Sequence, residues 1–192
     1  MDVLLEAAAQ VFDREGLSAT TNRIAARAGY SVGSLYQYFA NKAALLEALA
    51  TKHVDEAAAA VQTILDDARA DPPPLEQLMA SLVDAIIELH DDRRALHALM
   101  YRAVSRTGIA ARRGELLEQA VLPEISFHLV RASRGAPDPE QAVSAILTGV
   151  DGYLHRVFLR TGDRVAFHRV VAGLVDLHAP ASSSASETTA RN

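Results

Sequence analysis

The chain of 192 residues has 49% hydrophobic and 5% aromatic side chains, and its abundant alanine and leucine predict an all-α fold. The lack of cysteine excludes disulfide bonds and cysteine-ligated zinc, and the net charge of −5 argues against a protein that coats nucleic acid regardless of sequence. No apolar stretch reaches the roughly 18 residues that span a bilayer, and the start does not resemble a signal peptide, so we expect a cytoplasmic protein without a membrane partner.

The first predicted helix is amphipathic. Its apolar side chains recur at i, i+4, i+7 and i+8 and therefore share one helix face; they are Leu4, Ala8, Val11 and Phe12. Gly16 follows as a glycine that ends the helix. Thr20 and Thr21 then provide N-cap side chains for a short second helix over about 21–28.

A short third helix and a long fourth helix follow. Gly29 ends the second helix, because glycine readily adopts the left-handed backbone of a C-terminal cap. Ser31 caps the third helix over about 32–38, and Asn41 caps a long helix over about 42–69. The two short helices meet in a tight turn, which is the helix-turn-helix pattern whose second helix enters the major groove of DNA.

The outward face of the third helix is small and uncharged. Gly33 and Ser34 allow the helix N-terminus to come close to a groove, where its dipole and free N–H groups favour phosphate. Gln37 can form paired hydrogen bonds with adenine, and the Tyr38 hydroxyl can reach phosphate oxygens. A helix–glycine–helix corner with half-buried tyrosines is also common in all-α proteins, so the pattern alone leaves a packing interpretation open.

The charges around these helices are mildly basic. No acidic residue occurs between Glu15 and Glu47, whereas Arg23, Arg27 and Lys42 lie inside that interval. Lys42 opens the fourth helix and is placed to meet the DNA backbone as a flexible point charge. Three cations form a modest patch, which does not establish DNA binding by itself.

The segment TTNRIAARAGYSVGSLYQYFANKAALLEAL, residues 20–49, resembles the DNA-binding domain of the TetR (tetracycline repressor-like) family. It has that family's threonine, Ile-Ala pair, Ala-Gly turn, serine, Gly-Ser-Leu-Tyr run, aromatic residue before phenylalanine, and lysine that opens the long helix. Ala40 departs from the pattern, since proline is frequent there. The chain also starts inside the expected first helix, whereas many relatives carry a basic arm. Either minor-groove contacts are absent, or the true start lies upstream.

The resemblance implies which residues contact DNA. Positions that contact the backbone in the family correspond to Thr21, Tyr36, Tyr38 and Lys42, and positions near base edges correspond to Val32, Gly33, Ser34 and Gln37. With the two N-cap residues, the predicted DNA-binding set is Thr20, Thr21, Ser31, Val32, Gly33, Ser34, Tyr36, Gln37, Tyr38 and Lys42.

The rest of the chain divides at a proline run and ends in a polar tail. Pro72, Pro73 and Pro74 end the long helix, and further helices are predicted at about 75–89, 93–106, 113–133, 138–160 and 163–177. The resemblance implies a three-helix DNA-binding domain over 1–48 and a larger helical domain over 49–178 for effector binding and dimerisation, about nine helices in all. Residues 179–192 are small, polar and aperiodic, and we predict that they are disordered.

The last two helices carry the residues expected at a dimer interface. Small residues recur along one face of the first of them, and an apolar face follows on the second; the predicted interface residues are Ala145, Gly149, Gly152, Val170, Val171 and Leu174. Glycine inside a helix costs about 1 kcal/mol relative to alanine, which favours a close-packing role. The same stripes can also close the core of a monomer. We predict a dimer, because a palindromic operator calls for two-fold symmetry.

The middle helices mix polar and aromatic groups that can line a pocket for a small-molecule effector, although each can also be an ordinary partly exposed residue. The predicted pocket residues are His97, Met100, Tyr101, Phe127 and His128. His90 and His97 are interpreted as lying two turns apart on one face, too far to share a metal ion without a third element. We therefore predict no metal site and no cofactor.

These features together predict a homodimeric, sequence-specific transcriptional regulator. It binds a pseudo-palindromic operator in double-stranded DNA and acts as a repressor that a small-molecule effector releases. The alternative is a helical ligand-binding or interaction protein that no longer binds DNA. No nucleophile elbow, phosphate-binding loop, dinucleotide-binding glycine pattern or paired metal motif is present, so an enzyme is not expected.

Overall fold

A computed structural model describes residues 1–104 and 108–181. Within those residues the chain forms nine helices and no β-sheet, which confirms the predicted all-α fold. The helices are α1 (Asp2–Glu15), α2 (Thr21–Ala28), α3 (Val32–Tyr38), α4 (Lys42–Ala70), α5 (Leu75–Asp91), α6 (Arg94–Ala103), α7 (Ile109–Arg131), α8 (Pro139–Tyr153) and α9 (Arg164–His178). A 3₁₀ turn (Gly16–Ser18) precedes α2, and α8 continues through a π-helical turn (Leu154–Phe158) into Leu159–Thr161.

Side-chain caps fix where the first helices begin. The side-chain oxygens of Thr20, Ser31 and Asn41 accept hydrogen bonds from the backbone N–H three residues later, at 3.3, 3.0 and 2.9 Å. Each bond satisfies a donor that would have no partner within the helix. Gly29 ends α2 with φ 74°, in the left-handed region that favours glycine. The predicted boundaries of α2, α3 and α4 therefore follow from local chemistry.

The N-terminal head (residues 1–48) shares its core with the body (residues 49–181). Buried side chains of α1 to α4 pack with Leu96, Leu99 and Met100 of α6 and with Ala110 of α7. The predicted boundary at residue 48 therefore does not separate two cores. α4 runs unbroken across this boundary, and α6 packs against α1.

Two capping contacts from the head hold the body helices. The Asp13 carboxylate on α1 accepts the backbone N–H of Leu96 at 3.2 Å, and the Glu47 carboxylate on α4 accepts that of Ala110 at 2.9 Å. Each carboxylate thus satisfies a donor in the first turn of α6 or α7. The orientation of the head is therefore tied to the positions of α6 and α7.

The helices of the body pack around a second, larger hydrophobic core. α4 contacts α5 and α7, and α8 contacts α7 and α9. The largest fully buried side chains of this core include Phe158, Phe167 and Leu129. Among the described residues, no helix combines the length and apolarity needed to cross a membrane.

The residues after α9 pack on the body. Ala179 is fully buried, its carbonyl accepts a hydrogen bond from Arg134 Nη1 at 3.1 Å, and Ala181 forms an isolated antiparallel bridge with Arg134. The disordered tail predicted over residues 179–192 remains a prediction; of its first three residues Ala179 is buried, whereas Pro180 and Ala181 are exposed. The rest of the predicted tail, residues 182–192, lies outside the described residues.

Two glycines should respond in opposite directions to alanine. Gly162 has φ 65°, and a methyl group there would meet the Arg94 guanidinium, so Gly162→Ala should lower the free energy of unfolding by about 1–2 kcal/mol. Gly114 lies inside α7 with open space around its Cα, so Gly114→Ala should raise that free energy by about 0.5–1 kcal/mol. Urea unfolding of both variants measures the difference. Shifts of the same sign would contradict the assigned backbone at Gly162.

Candidate functional site

α3 lies on the surface of the head, with one face packed on the head core and the other exposed to solvent. Leu35 is fully buried and Phe39 is 6% exposed, and both pack into the head core. Tyr36 and Tyr38 are 49% and 55% exposed, and Gln37 between them is also exposed. The buried pair holds the helix to the head and leaves its polar side chains accessible to a partner.

Hydroxyl groups join α2 to α3. The Thr21 hydroxyl lies 3.1 Å from the Tyr36 hydroxyl, which connects the first turn of α2 to the middle of α3. The Ser31 hydroxyl lies 2.8 Å from that of Ser34 and also caps the helix. A hydroxyl can donate one hydrogen bond and accept others, so each of these groups retains capacity for a phosphate oxygen. The contact between Thr21 and Tyr36 thus links the two helices, and the contact between Ser31 and Ser34 lies within the first turn of α3.

Lys42 reaches from the start of α4 to the turn that precedes α2. Its Nζ donates a hydrogen bond to the carbonyl of Leu17, which lies in the exposed 3₁₀ turn. An ammonium group has three donors, so this bond leaves donors for a phosphate. The cation thus lies on the head beside the helix-turn-helix.

The two arginines of the basic segment are held against α1. Arg23 pairs with Glu15 at 2.7 Å, and Arg27 Nε donates to the side-chain oxygen of Gln10. Exposed ion pairs contribute little to stability, so Arg23 can exchange its carboxylate for a phosphate at small cost. Arg27 keeps its full charge, because its partner Gln10 is neutral.

The remaining predicted DNA-binding residues differ in accessibility. Thr20 is exposed, but its hydroxyl is engaged in the cap of α2. Val32 is half-buried and packs against the head core, whereas Gly33 is exposed. A side chain on Gly33 would come no closer than 3.7 Å to Ser31, so the space around it is open. The surfaces of Gly33 and Gln37 are thus more open than that of Val32.

Two family descriptions match this sequence. Residues 4–49 match "Bacterial regulatory proteins, tetR family", and residues 74–186 match "Tetracyclin repressor-like, C-terminal domain". The chain belongs to the TetR family. It is a DNA-binding transcriptional regulator with a helix-turn-helix head, as the resemblance in the sequence predicted.

Solved structures share this TetR fold at low sequence identity. A TetR-family protein from Mesorhizobium loti is 16% identical with a TM-score of 0.69, over 92% of this chain and 95% of that chain. SmeT, the repressor of the Stenotrophomonas maltophilia efflux pump SmeDEF, is 21% identical with a TM-score of 0.67, over 93% and 89%. FadR from Bacillus subtilis, solved with stearoyl-CoA, is 16% identical with a TM-score of 0.65, over 90% and 96%. Comparison with curated proteins gave no significant match.

A cavity of about 400 Å³ lies in the body of this TetR-family chain, beside the head. It is lined by three of the five predicted effector residues, His97, Met100 and Tyr101. The other two lie elsewhere. Phe127 is 41% exposed and stacks under the guanidinium of Arg69 at 4.3 Å, which leaves it outside the cavity lining.

His128 is buried away from this cavity. It is 1% exposed on α7, and its ring lies 5.1 Å from that of Phe127, centre to centre. Neither ring nitrogen has a hydrogen-bond partner among the described residues. Burial lowers the pKa of His128, so the ring is uncharged at neutral pH. The structure therefore places it in the packing between helices.

Asp151 and His155 are among the lining residues that the sequence did not predict. His155 lies in the π-helical turn after α8, and its ring stacks on Tyr101 with centroids 3.9 Å apart and an interplanar angle of 9°. Its Nδ1 lies 2.9 Å from the Asp151 carboxylate, and this hydrogen bond holds the pKa of Asp151 below its ordinary value. Regular helical spacing does not reveal a π-helical turn, which rotates His155 relative to an unbroken helix.

Three histidines pack against one another at the cavity wall. The ring centroids of His53, His90 and His97 are 4.3 to 4.8 Å apart. The interpretation of His90 and His97 as two turns apart on one helix face is wrong, because α5 ends at Asp91 and α6 begins at Arg94. The chain turns between the two helices and brings both rings onto His53 of α4.

Burial keeps these three rings uncharged. Loss of hydration lowers the pKa of His53 to about 3, that of His90 to about 4 and that of His97 to about 3. At neutral pH the rings are therefore neutral imidazoles, each with one nitrogen lone pair.

The predicted dimer residues divide between the surface and the core of the chain itself. Val171 is 2% exposed and belongs to the body core. A methyl group on Gly149 would lie 2.7 Å from Leu174 of the same chain, so this glycine allows α8 and α9 to pack closely. Gly152 has open space beside it, while Ala145 and Val170 are half-buried.

Proposed function

We propose that this TetR-family chain is a homodimeric repressor. Two copies of α3 read the half-sites of a pseudo-palindromic operator, and a small molecule in the body cavity releases the DNA. The observation that carries the proposal is the exposed, uncharged face of Gln37 and Tyr38 beside Lys42, on a helical head whose core continues into the cavity wall. SmeT is itself a repressor, and FadR was solved with stearoyl-CoA, which agrees with ligand-controlled repression.

The route from the cavity to the head is short. Met100 lines the cavity and also belongs to the head core, which places α6 between the two sites. The start of α6 is fastened to α1 by the cap from Asp13 to Leu96 and by the ion pair from Arg93 to Glu6. A ligand that moves α6 therefore shifts α1 and changes the orientation of the head relative to the body.

The dimer face of this proposal uses the outer sides of α8 and α9. Val165 and Leu177 are 68% and 70% exposed on α9, and Gly152 and Gly173 have open space beside them. Apolar side chains and small residues on the same pair of helices favour close packing with a second copy. Val171, which was predicted at the interface, is left out of this dimer face because its side chain packs in the core of its own chain.

Because a transcriptional regulator acts on DNA, we expect this protein in the cytoplasm. We also expect it to have no catalytic activity. The alternative is a helical binding protein without a DNA function. An exposed Gln37 and a cation beside the helix-turn-helix favour the regulator, because neither residue contributes to the core.

Selection from a random DNA library tests the proposal directly. Purified full-length protein should enrich duplexes that carry two related half-sites separated by about one helical turn. Its size in solution should correspond to a dimer. Absence of any enriched sequence at low salt, with the dimer intact, would overturn the proposal.

Replacement of Gln37 should change which bases are preferred. Gln37→Ala removes a side chain that can pair with adenine, so preference at one position of each half-site should weaken by about 1–3 kcal/mol. Affinity for unrelated sequences should stay close to that of the wild type. Gln77→Ala, at an exposed glutamine of α5, is the matched control and should leave the selected sequence unchanged. An unchanged preference in Gln37→Ala would show that Gln37 reads no base.

A further inference from the structure

The three histidines at the cavity wall have the spacing of a metal site. One ring nitrogen from each of His53, His90 and His97 lies within 4.8 Å of the others, and the Nε2 atoms of His53 and His90 are 3.0 Å apart. Tetrahedral zinc with Zn–N distances of about 2.0–2.1 Å holds its ligand nitrogens about 3.3 Å apart. The nitrogens of His53 and His90 already have nearly this separation, and the nitrogen of His97 lies within 4.8 Å of both.

The backbone fixes the tautomer of one of these rings. His90 Nδ1 lies 2.7 Å from the carbonyl oxygen of Ile86, which can only accept, so Nδ1 carries the proton. Nε2 of His90 is therefore unprotonated, and its lone pair faces Nε2 of His53. A histidine that donates from one nitrogen to a carbonyl and offers the other as a lone pair is the usual arrangement of a metal ligand.

The third ring has a buried nitrogen with nothing to bind. His97 Nδ1 has no hydrogen-bond partner among the described residues, although it is shielded from solvent. Buried polar atoms without a partner are rare in folded proteins, and a metal ion bound at this nitrogen would give it one. In the absence of metal the Nε2–H of His53 donates to this lone pair of His90. A cation at the centre of the cluster would replace that proton, which moves to Nδ1 of His53, and would also give the unpartnered nitrogen of His97 a ligand bond.

The ligand chemistry restricts which cation fits. Neutral imidazoles suit zinc, copper, nickel and cobalt, whereas magnesium and calcium prefer oxygen ligands. Three ligands leave a fourth position, and the cavity of about 400 Å³ adjoins it with Tyr101 and His155 on its wall. A water molecule or a donor atom of an organic effector can occupy that position.

Acidic side chains also lie near the histidine cluster. A second cavity, of about 310 Å³, is also lined by His53 and His97. Six charged side chains surround it, and the four acidic ones are Glu6, Glu56, Glu88 and Asp92. The excess of negative charge raises the local concentration of cations next to the imidazoles.

We propose that His53, His90 and His97 bind one divalent transition-metal ion of the zinc class, and that this ion is the effector, or the anchor of the effector, that controls operator binding. The ion ties α4, α5 and α6 together at one point. His53 lies 11 residues after Lys42, about 16 Å along α4, and His97 is the neighbour of Leu96 in the head core. Metal binding that draws α6 towards α4 therefore tilts the head.

The role of the ion as an effector rests on the proposed repressor function, whereas metal binding by the three histidines does not. Typical couplings between two sites change an affinity about 5- to 150-fold, and we expect the ion to weaken operator binding within that range. Two separate measurements on the full-length, untagged protein test metal binding and its effect on operator affinity independently.

Metal binding is measured first. Equilibrium dialysis with Zn²⁺ should give one ion per protomer, and Co²⁺ should give the visible absorption of a tetrahedral site. Zn²⁺ should also raise the melting temperature, and Mg²⁺ should not. His90→Ala and the size-conserving His97→Gln should each lower Zn²⁺ affinity at least about 100-fold. Loss of a residue that only supports a metal ligand lowers metal affinity about 10- to 100-fold, and loss of the ligand itself should lower it more. His178→Ala, at an exposed histidine of α9, is the matched control and should bind like the wild type.

Operator affinity is then measured with and without Zn²⁺. A metal-dependent decrease in the wild type and in His178→Ala, but not in His97→Gln, supports the whole inference. Equal Zn²⁺ binding by wild type and both ligand variants overturns the site. Binding through the three histidines without any change in operator affinity overturns the effector role. If no sequence is bound under any condition while Zn²⁺ still binds, the proposed repressor function fails and the metal site stands.

Discussion

Lys42→Ala should lower affinity for operator DNA roughly 100-fold. Lys42 is the cation at the start of α4 beside the helix-turn-helix, and its ammonium retains donors for a phosphate oxygen. A hydrogen bond to a charged group contributes about 1.5 kcal/mol, and the dimer of the proposed function loses two of them. Each lost phosphate contact should also reduce the slope of log affinity against log salt by about 1, and hence by about 2 for the dimer.

The other lysine of the chain is a matched control. Lys52 lies on the same helix, is half-exposed and pairs with Glu56 at 3.7 Å. Lys52→Ala removes the same charge from the protein at a distance from the head, so operator affinity and its salt slope should stay near those of the wild type. Fluorescence anisotropy across a salt series measures both quantities. Equal losses in the two variants would mean that only net charge matters, and would contradict a specific contact by Lys42.

Phe12→Ala should destabilise the whole protein by about 3–5 kcal/mol. Phe12 is 1% exposed in the head core, which also holds Leu96 and Leu99 of α6, so the cavity left behind touches head and body together. For a chain of this size each kcal/mol shifts the melting temperature by about 2–4 °C, which predicts a decrease of about 6–20 °C. Head and body should still unfold in one transition because they share this core.

Phe127→Ala provides the comparison for Phe12. Phe127 is 41% exposed and contacts the guanidinium of Arg69, so its removal should cost less than about 1 kcal/mol. Calorimetry or circular dichroism on heating measures both variants. Two separate transitions in Phe12→Ala, with the body melting at the wild-type temperature, would contradict the shared core.

The head could be predicted almost completely from the sequence. Its helix boundaries depend on local chemistry, namely the capping oxygens of Thr20, Ser31 and Asn41 and the left-handed backbone at Gly29. The family pattern in residues 20–49 also predicts which side chains face DNA, because that pattern is dense in a short segment. Exposure of Gln37 and burial of Leu35 agree with it.

The wall of the cavity could not be predicted, because it depends on contacts between residues far apart in the chain. His53 meets His90 and His97 only after α4, α5 and α6 have packed together. His155 reaches Tyr101 through a π-helical turn, which no periodicity in the sequence indicates. Phe127, which was predicted as an effector residue, lies outside the cavity lining, since an aromatic side chain in a half-buried helix reveals neither its partner nor its direction.

Cross-linking at residue 37 tests the central claim, that α3 lies in the major groove. The chain has no cysteine, so Gln37→Cys creates a single thiol on the exposed face of α3. Operator duplexes with a thiol tether on a cytosine amino group in the major groove should form a disulfide with this variant and not with Leu177→Cys on the exposed side of α9. Protein that binds the operator while Cys at position 37 stays unlinked at every tethered base would contradict the account.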